Sequence, residues 1–359
     1  MKRRAFSLDL ARPLSTARGR IRRREGLLVR VEAGDVRGVG EATPLPDWTE
    51  SLPACRDALD TVAAVDGVDR LLLDAAASPS DPLADAPAAV TDPLADAPAA
   101  RHAVELAVLD ARGRREGRPL ARLLADDPAA TVPVNATVGD GSVSETVESA
   151  VAAVDAGFDC LKVKVGVGAL DRDVARLRAV REAAGGVTLR ADANAAWGRE
   201  TAREAVDALA DIDLAYLEQP LPASDLSGHA ALRGRGVDIA LDESLAVASP
   251  GAVLDADAAD VLVVKPMALG GPGRAHATAR DALAAGVDPV VTTTIDAAPA
   301  RTAAAHVAAA IPDVAPCGLA TADALSTDLA SDPAPVEDGA IAVPSTPGIA
   351  DDAFDDLFD

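Results

Sequence analysis

Lysine is nearly absent from this sequence. Four occur in 359 residues, at positions 2, 162, 164 and 265, and arginine supplies the rest of the 34 basic groups. Cysteine is almost as scarce: Cys55, Cys160 and Cys317 are widely spaced, odd in number and contain no Cys-x-x-Cys. That excludes a disulfide framework or a zinc site and points to buried thiols in a reducing interior. Long apolar runs are missing too. Met1-Lys2-Arg3-Arg4 is basic, but Ala5 to Leu10 is interrupted by Ser7 and Asp9, so it offers no signal core. The expectation is a cytoplasmic protein with neither signal peptide nor membrane span.

What is abundant is acid. Fifty-seven Asp and Glu against 34 Lys and Arg give a net charge of -23, spread along the chain instead of gathered in a tail, which argues against a nucleic-acid surface. Sparse lysine, few aromatics and plentiful Asp, Ala and Val are the composition of a surface that must stay hydrated in strong salt. The lysines then become informative. Where arginine serves almost every need for a permanent charge, lysine is expected to persist where an amine must lose its proton.

Three of the four lysines fall in a series of short apolar runs ending in chemistry-bearing residues. These are Leu161-Lys162-Val163-Lys164-Val165, Leu189-Arg190-Ala191-Asp192-Ala193-Asn194, Ala215-Tyr216-Leu217-Glu218-Gln219-Pro220, Ala240-Leu241-Asp242-Glu243-Ser244 and Val263-Val264-Lys265-Pro266. The steps from Lys164 to Asp192, Glu218, Asp242 and Lys265 are 28, 26, 24 and 23 residues, the length of one strand, one helix and two short loops. That cadence predicts an α/β fold with a (β/α) barrel, whose strand ends face one pocket.

The chain divides accordingly. Residues 1–128 read as an α+β capping domain: strands over 3–10, 26–32 and 36–40 with a Gly34-Asp35 turn, then helices over 52–65, 68–77 and from Arg101 to about Gly113. A near-exact tandem repeat of period 11 at 80–101 carries two prolines per copy and reads as a duplicated surface insertion without chemistry. The barrel spans 129–323, with strand one over 132–138, a helix capped by Ser142 and Glu145, strand seven over 289–294 and strand eight over 314–319. Residues 324–359 form a C-terminal segment, with 336–347 running back over the first domain. Trp48, in the Pro-rich loop after Gly40, reads as loop packing or as a lid over substrate.

Alternation sends Lys162, Lys164, Arg190 and Asp192 into the barrel. Two neighbouring amines repel each other's protons, which predicts a lowered pKa and a usable base at Lys164. Asp192, Glu218 and Asp242 offer hard oxygens from consecutive strands, suited to Mg²⁺, with Mn²⁺ as a substitute. Asn194 and Glu243 read as alternate ligands or as groups that orient them. Lysines on opposite sides of a metal fit removal of a proton alpha to a carboxylate, with metal and lysine stabilising the enediolate. The partner is therefore a small-molecule carboxylate; assembly into a homo-oligomer is compatible with the sequence.

Lys162-x-Lys164, Asp192-x-Asn194, Glu218-Gln219-Pro220, Asp242-Glu243-Ser244 and Lys265-Pro266 resemble the muconate-lactonising-enzyme branch of the enolase superfamily, a likeness that spans nearly the whole chain. It implies a (β/α)7β modified TIM barrel with a capping domain over residues 3–125 and a substrate loop at Glu41-Ala42-Thr43-Pro44-Leu45-Pro46. Within the branch, Arg24 to Arg30, the Pro-Leu-Pro loop, Leu189 to Trp197 and Thr292-Thr293-Thr294-Ile295-Asp296 are most similar to the o-succinylbenzoate synthase family of menaquinone biosynthesis. That likeness implies Mg²⁺ on Asp192, Glu218 and Asp242, Lys164 as base and then acid in a syn dehydration, Lys265 as a stabilising cation, and Lys162 tuning Lys164. Thr293 and Thr294 would hold a succinyl arm, although the family more often has serines there, and Asp296 and Ala297 replace bulkier or polar neighbours. N-acylamino acid racemase, dipeptide epimerase and muconate cycloisomerase are the rival readings. Gly318-Leu319-Ala320-Thr321 lacks the Asp-x-Asp that dipeptide epimerases commonly carry. A non-catalytic barrel is disfavoured by the three carboxylates and two lysines together.

Overall fold

The computed structural model describes residues 1–16, 19–75 and 78–358. Strands β1 (Lys2–Thr16), β2 (Gly19–Ala33) and β3 (Val36–Ala42) form an antiparallel sheet in the order β1-β2-β3. The Gly34-Asp35 turn joins the last two as expected, with Gly34 at φ 63. The helix Pro98–Glu116 lies directly on β3. A Cβ at Gly38 would come 2.0 Å from the Ala107 carbonyl oxygen and one at Gly40 1.9 Å from that of Ala103, so glycine is what lets helix and strand touch backbone to backbone. Glu50 caps this helix, accepting from Ala99 N at 3.0 Å and Ala100 N at 2.9 Å.

The repeat at 80–101 departs from its reading as a surface insertion. Leu83, Val90 and Leu94 are buried in the same apolar cluster as Val29, Val31 and Ala103. The first copy makes turns and the start of a single helical turn, Ala88–Thr91, as its prolines demand, and the second runs into the long helix with Pro98 in its first turn, where a missing N–H costs nothing. The helix expected over 68–77 is observed over Val68–Ala75, and Ala76 and Ala77 lie outside the described residues.

After β4 (Thr131–Pro133) comes a curled parallel sheet of β5 (Ala136–Val138), β6 (Cys160–Lys164), β7 (Thr188–Asp192), β8 (Tyr216–Glu218), β9 (Ile239–Leu241), β10 (Val261–Val264) and β11 (Asp288–Val291), hydrogen-bonded in sequence order. Ser142 and Glu145 form the expected capping box on the helix Val143–Asp155. The strand expected over 132–138 is divided: Thr131–Pro133 pairs antiparallel with β13 (Ala340–Ala342), itself paired with β12 (Val336–Glu337), and only Ala136–Val138 joins the barrel. Strand eight is shorter than expected. Cys317 N donates to Pro133 O, Asn135 N to Cys317 O and Gly318 N to Val291 O at 2.8–3.0 Å, so two residues close the ring between its first and seventh strands. The segment 336–347 also departs from expectation, because β12 and β13 pair beside the barrel's first strand. It is Gly348 to Leu357 that returns to the cap, where Phe354 and Ile349 pack with Leu28, Val39 and Leu106.

Two buried cap carboxylates dock the halves. Glu105 accepts from Gly273 N at 2.7 Å, at the start of the helix Pro272–Ala284, and Glu41 accepts from Ala297 N and Ala300 N at 2.9 Å, at the start of Ala298–Ala309. Each places a negative group at the positive end of a barrel helix. Among the described residues no helix is long and apolar enough to cross a membrane. Burial pushes the Glu105 carboxyl up to about 7, partly offset by Arg101. A folded-state pKa above the unfolded value gives stability that is full below the unfolded pKa and is lost as pH rises through the folded one. Glu105→Gln removes that loss, so its Tm relative to the parent chain should climb between about pH 5 and about pH 8 in thermal melts; a constant difference would refute the linkage.

Candidate active site

Register brings the charged strand ends together. Lys164 pairs with Asp192 and Asp192 with Glu218 across β6, β7 and β8, so their side chains emerge side by side at one rim. The backbone then turns sharply. Asn194 (φ 44), Ala195 (φ 61) and Gln219 (φ 41) all sit in the left-handed region, which costs about 1–3 kcal/mol per non-glycine residue unless neighbours hold it. They are held: Asn194 N donates to Asp192 Oδ1 at 3.0 Å and Ala195 N to Gln219 O at 2.7 Å. The fully buried Gln219 side chain accepts from Asp242 N and Ser244 N at 3.0 and 3.1 Å and donates to Leu221 O and Ser244 Oγ. It thereby fixes where Asp242 leaves its strand.

Asp192 and Glu218 are 1% exposed and Asp242 6%. Each faces an ammonium. Lys162 Nζ lies 3.0 Å from Asp192 Oδ2 and 3.0 and 3.1 Å from the two Glu218 oxygens, Lys164 Nζ 2.6 Å from Asp192 Oδ2, and Lys265 Nζ 2.7 Å from Asp242 Oδ2. Burial alone would lower Lys162, but Glu218 and Asp192 outweigh it and hold the amine well above its ordinary value. At Lys162 this differs from the lowering expected from two neighbouring amines, because the carboxylates of Glu218 and Asp192 outweigh that repulsion. Burial likewise pushes Asp192 up, but Lys162 and Lys164 prevail and hold it below the usual carboxylate range. Glu218 is pushed up to about 7 by burial and then by Asp192, and Asp242 to about 6 by burial, with Lys265 opposing.

The donor set suits a hard divalent cation. Among the described residues no three such side chains stand open around a common point, since each carboxylate is turned onto an amine. Yet Asp242 Oδ1 and Glu243 Oε2 are buried without a hydrogen-bond partner, and acceptors in that condition are destabilising until a cation or donor reaches them. Asn194 links the two sides of the site, accepting from Lys164 Nζ at 2.7 Å and donating to Glu243 Oε1 at 3.0 Å. Trp48 reaches over from the cap: Lys265 Nζ sits 3.2 Å from the centre of its ring.

Other expected residues are placed differently. Arg190 does not join the rim. It lies one layer down inside the barrel, stacked on Tyr216 with 4.7 Å to the ring centre and donating to Pro316 O at 2.6 Å, where it braces the short eighth strand. Thr293 and Thr294 point apart, as successive residues must. Thr293 Oγ1 meets Thr321 Oγ1 at 3.0 Å, whereas Thr294 Oγ1 donates to Asp296 beneath the cap. Thr321 and Gln219 were missed as site residues. Gln219 was visible in the Glu-Gln-Pro run, but nothing in the residues around Thr321 distinguished it.

The comparisons identify the family to which the two halves belong. Residues 145–352 match the family described as enolase C-terminal domain-like, and residues 3–125 the mandelate racemase/muconate lactonizing enzyme N-terminal domain. The chain belongs to the enolase superfamily, whose members are enzymes. It is 35% identical over 59% of its length to a hydrophobic dipeptide epimerase of Enterococcus faecalis, and 38% identical over 56% to an o-succinylbenzoate synthase of Thermobifida fusca. The matched regions span 60% and 63% of those relatives. The crystal structure of the Enterococcus faecalis V583 dipeptide epimerase complexed with Mg and L-Leu-L-Tyr superposes with a TM-score of 0.84 at 27% identity, covering 97% of this chain and 98% of that one.

Gln219→Ala should leave the Asp242 and Ser244 amides unsatisfied and cost about 2–4 kcal/mol of stability in denaturant titrations. A change in stability within experimental error would show that the amide does not hold the end of β9.

Proposed function

We propose that the chain is an o-succinylbenzoate synthase, dehydrating 2-succinyl-6-hydroxy-2,4-cyclohexadiene-1-carboxylate in menaquinone biosynthesis in the cytoplasm. The observation that carries the reading is that Lys164 and Lys265 sit on the two outer members of the carboxylate series, Asp192 and Asp242, with Glu218 between them. A carbon acid held there meets an amine from either side. Asp192, Glu218 and Asp242 would hold Mg²⁺, which supplies the positive charge that makes the alpha proton of a bound carboxylate acidic.

Lys164, at the open edge of the cluster, takes the proton from C1. The C1–H pair moves toward the carboxylate as enediolate, and Lys265 faces that charge as an ammonium. The pair then returns to form the ring double bond while the C6–O bond breaks, with Lys164 giving its proton to the departing hydroxide so that water leaves. Asn194 aims the Lys164 amine, accepting one of its hydrogens. Lys162, held protonated by Glu218 and Asp192, keeps the carboxylates in place and contributes charge near the substrate carboxylate.

Two features favour the lyase over an epimerase. Gly318-Leu319-Ala320-Thr321 contributes no carboxylate to receive a substrate amino group. The Trp48 ring holds the Lys265 ammonium as a fixed cation, a role that a lyase needs and that a second proton carrier does not. The Thr293 and Thr321 hydroxyls offer hydrogen bonds to a succinyl arm.

Purified protein in strong salt with Mg²⁺ should convert the cyclohexadiene precursor to o-succinylbenzoate, followed by ultraviolet absorbance. Racemisation of N-succinyl amino acids without that conversion would sink the lyase reading. Chelation should abolish turnover and Mg²⁺ or Mn²⁺ restore it. Lys164→Ala should lower kcat by at least about 10³-fold with the fold intact; substantial residual turnover removes Lys164 as the base. Lys265→Arg should retain part of a dehydration but none of a racemisation, since a guanidinium stabilises charge without accepting a proton.

A further inference from the structure

Arg24 is the buried member of an otherwise exposed basic run. Arg20, Arg22 and Arg23 face solvent, whereas Arg24 is 2% exposed. All three of its nitrogens are used on carbonyls: Nη2 donates to Thr43 O at 2.7 Å, Nη1 to Pro44 O at 3.2 Å and Nε to Ile295 O at 3.3 Å. The first two belong to the cap loop that carries Trp48, and the third to the barrel loop that carries Thr293. Glu41 and Asp296 supply the opposing charge, and Glu41 also caps the helix that follows.

Each loop is stiff within itself. Trp48 N and Thr49 N both donate to Leu45 O, and Leu45 N donates to Thr49 Oγ1. On the barrel side Ile295 N donates to Thr293 Oγ1 at 3.3 Å. Ile295 itself stands at φ 62, a conformation that a β-branched residue adopts only when its surroundings impose it. Its carbonyl is held from the cap by the guanidinium, and its side chain packs against the apolar cluster that Leu8 and Leu10 of the cap form with Ala297 and Leu325.

We propose that Arg24 is a positioning residue which sets the gap between the Trp48 loop and the Thr293 loop, and so selects the side arm that the substrate carries. The inference rests on the location of the site given above. A planar fork spanning three fixed carbonyls has no equivalent in lysine, whose single ammonium cannot reach all of them. The arm favoured by this gap is one that lies along the Trp48 ring and accepts or donates hydrogen bonds at the Thr293 and Thr321 hydroxyls.

The test uses the full chain with Mg²⁺ and the variants Arg24→Lys, Arg24→Met and Arg24→Ala. KM for the cyclohexadiene precursor should rise about tenfold in the first two while kcat stays within about threefold, because the chemistry of Lys164 is untouched and only its alignment with the arm is lost. Methylguanidinium should restore KM in Arg24→Ala. A second readout is independent of turnover. The chain has two tryptophans, so in a Trp197→Phe background the fluorescence is that of Trp48, and Arg24→Met should make it about twofold more accessible to acrylamide. Unchanged KM and unchanged quenching in variants that still melt cooperatively would overturn the proposal. So would a parallel fall of kcat and kcat/KM with loss of cooperative melting in all three, which marks a general packing role. If the parent chain does not turn over the precursor, the proposed function fails, and the quenching measurement still decides whether Arg24 holds the two loops.

Discussion

Three carboxylates buried at one rim of a barrel cannot remain charged without cations against them, and this constraint governs the molecule. Desolvating an ion costs several kcal/mol, which only a close opposite charge returns. Here Lys162, Lys164 and Lys265 provide that charge, one amine shared between Asp192 and Glu218 and one on each flank. Each of the three carboxylates has an ammonium against it, but the hydrogen bonding is incomplete, as the unpartnered oxygens of Asp242 and of the neighbouring Glu243 show. The amines occupy the acceptors that a divalent cation would take, so in the proposed function a metal held by Asp192, Glu218 and Asp242 would have to displace them.

The strained backbone after the strands follows from the same requirement. Asp192 and Glu218 must present their carboxylates at the rim, and the chain must then fold back within a residue or two to start the next loop. Left-handed turns at Asn194, Ala195 and Gln219 achieve this: Asn194 N is held by Asp192 at the end of its own strand, and Ala195 N and Gln219 N by Gln219 O and Ala240 O of the next strands along. The cap is bound into the site by analogous means. Glu41 and Glu105 leave the cap sheet and its long helix to seat on barrel helix termini, so the face that carries Trp48 meets the strand ends at a fixed height.

Period and spacing made the barrel legible, since strand-end residues recur every 23 to 28 positions and adjacent strands are in register. The antiparallel cap sheet and the Ser142 capping box could be read for similarly local reasons. What could not be read depended on distant partners. Pro133 and its neighbours alternate like one strand, yet the chain changes partners at Val134, pairing with β13 before it and with β6 after it. The repeat at 80–101 looked like a surface insertion because prolines dominate it, while Leu83, Val90 and Leu94 were each too isolated to announce a buried face. Arg190 alternates inward as expected, but its depth in the barrel is set by Tyr216 and Pro316, which no local pattern reveals. Arg24 stands out at the start of the Arg24 to Arg30 run, but its carbonyl partners on two distant loops do not.

The distribution of basic residues acquires its meaning from such partners. Arg24, Arg176, Arg190 and Arg301 all hold backbone carbonyls from buried positions, Arg176 doing so at Lys164 itself. Such work needs a fork that stays charged in any surroundings, and a guanidinium provides it. The three buried or half-buried lysines hold side-chain oxygens instead, and those oxygens are the ones a metal would claim. The fourth, Lys2, is exposed beside Glu32. A chain that uses arginine for architecture and keeps lysine at one rim places its compact ammoniums on the carboxylates there. In the proposed reaction one of them, Lys164, moves a proton while Lys162 and Lys265 stay as charge.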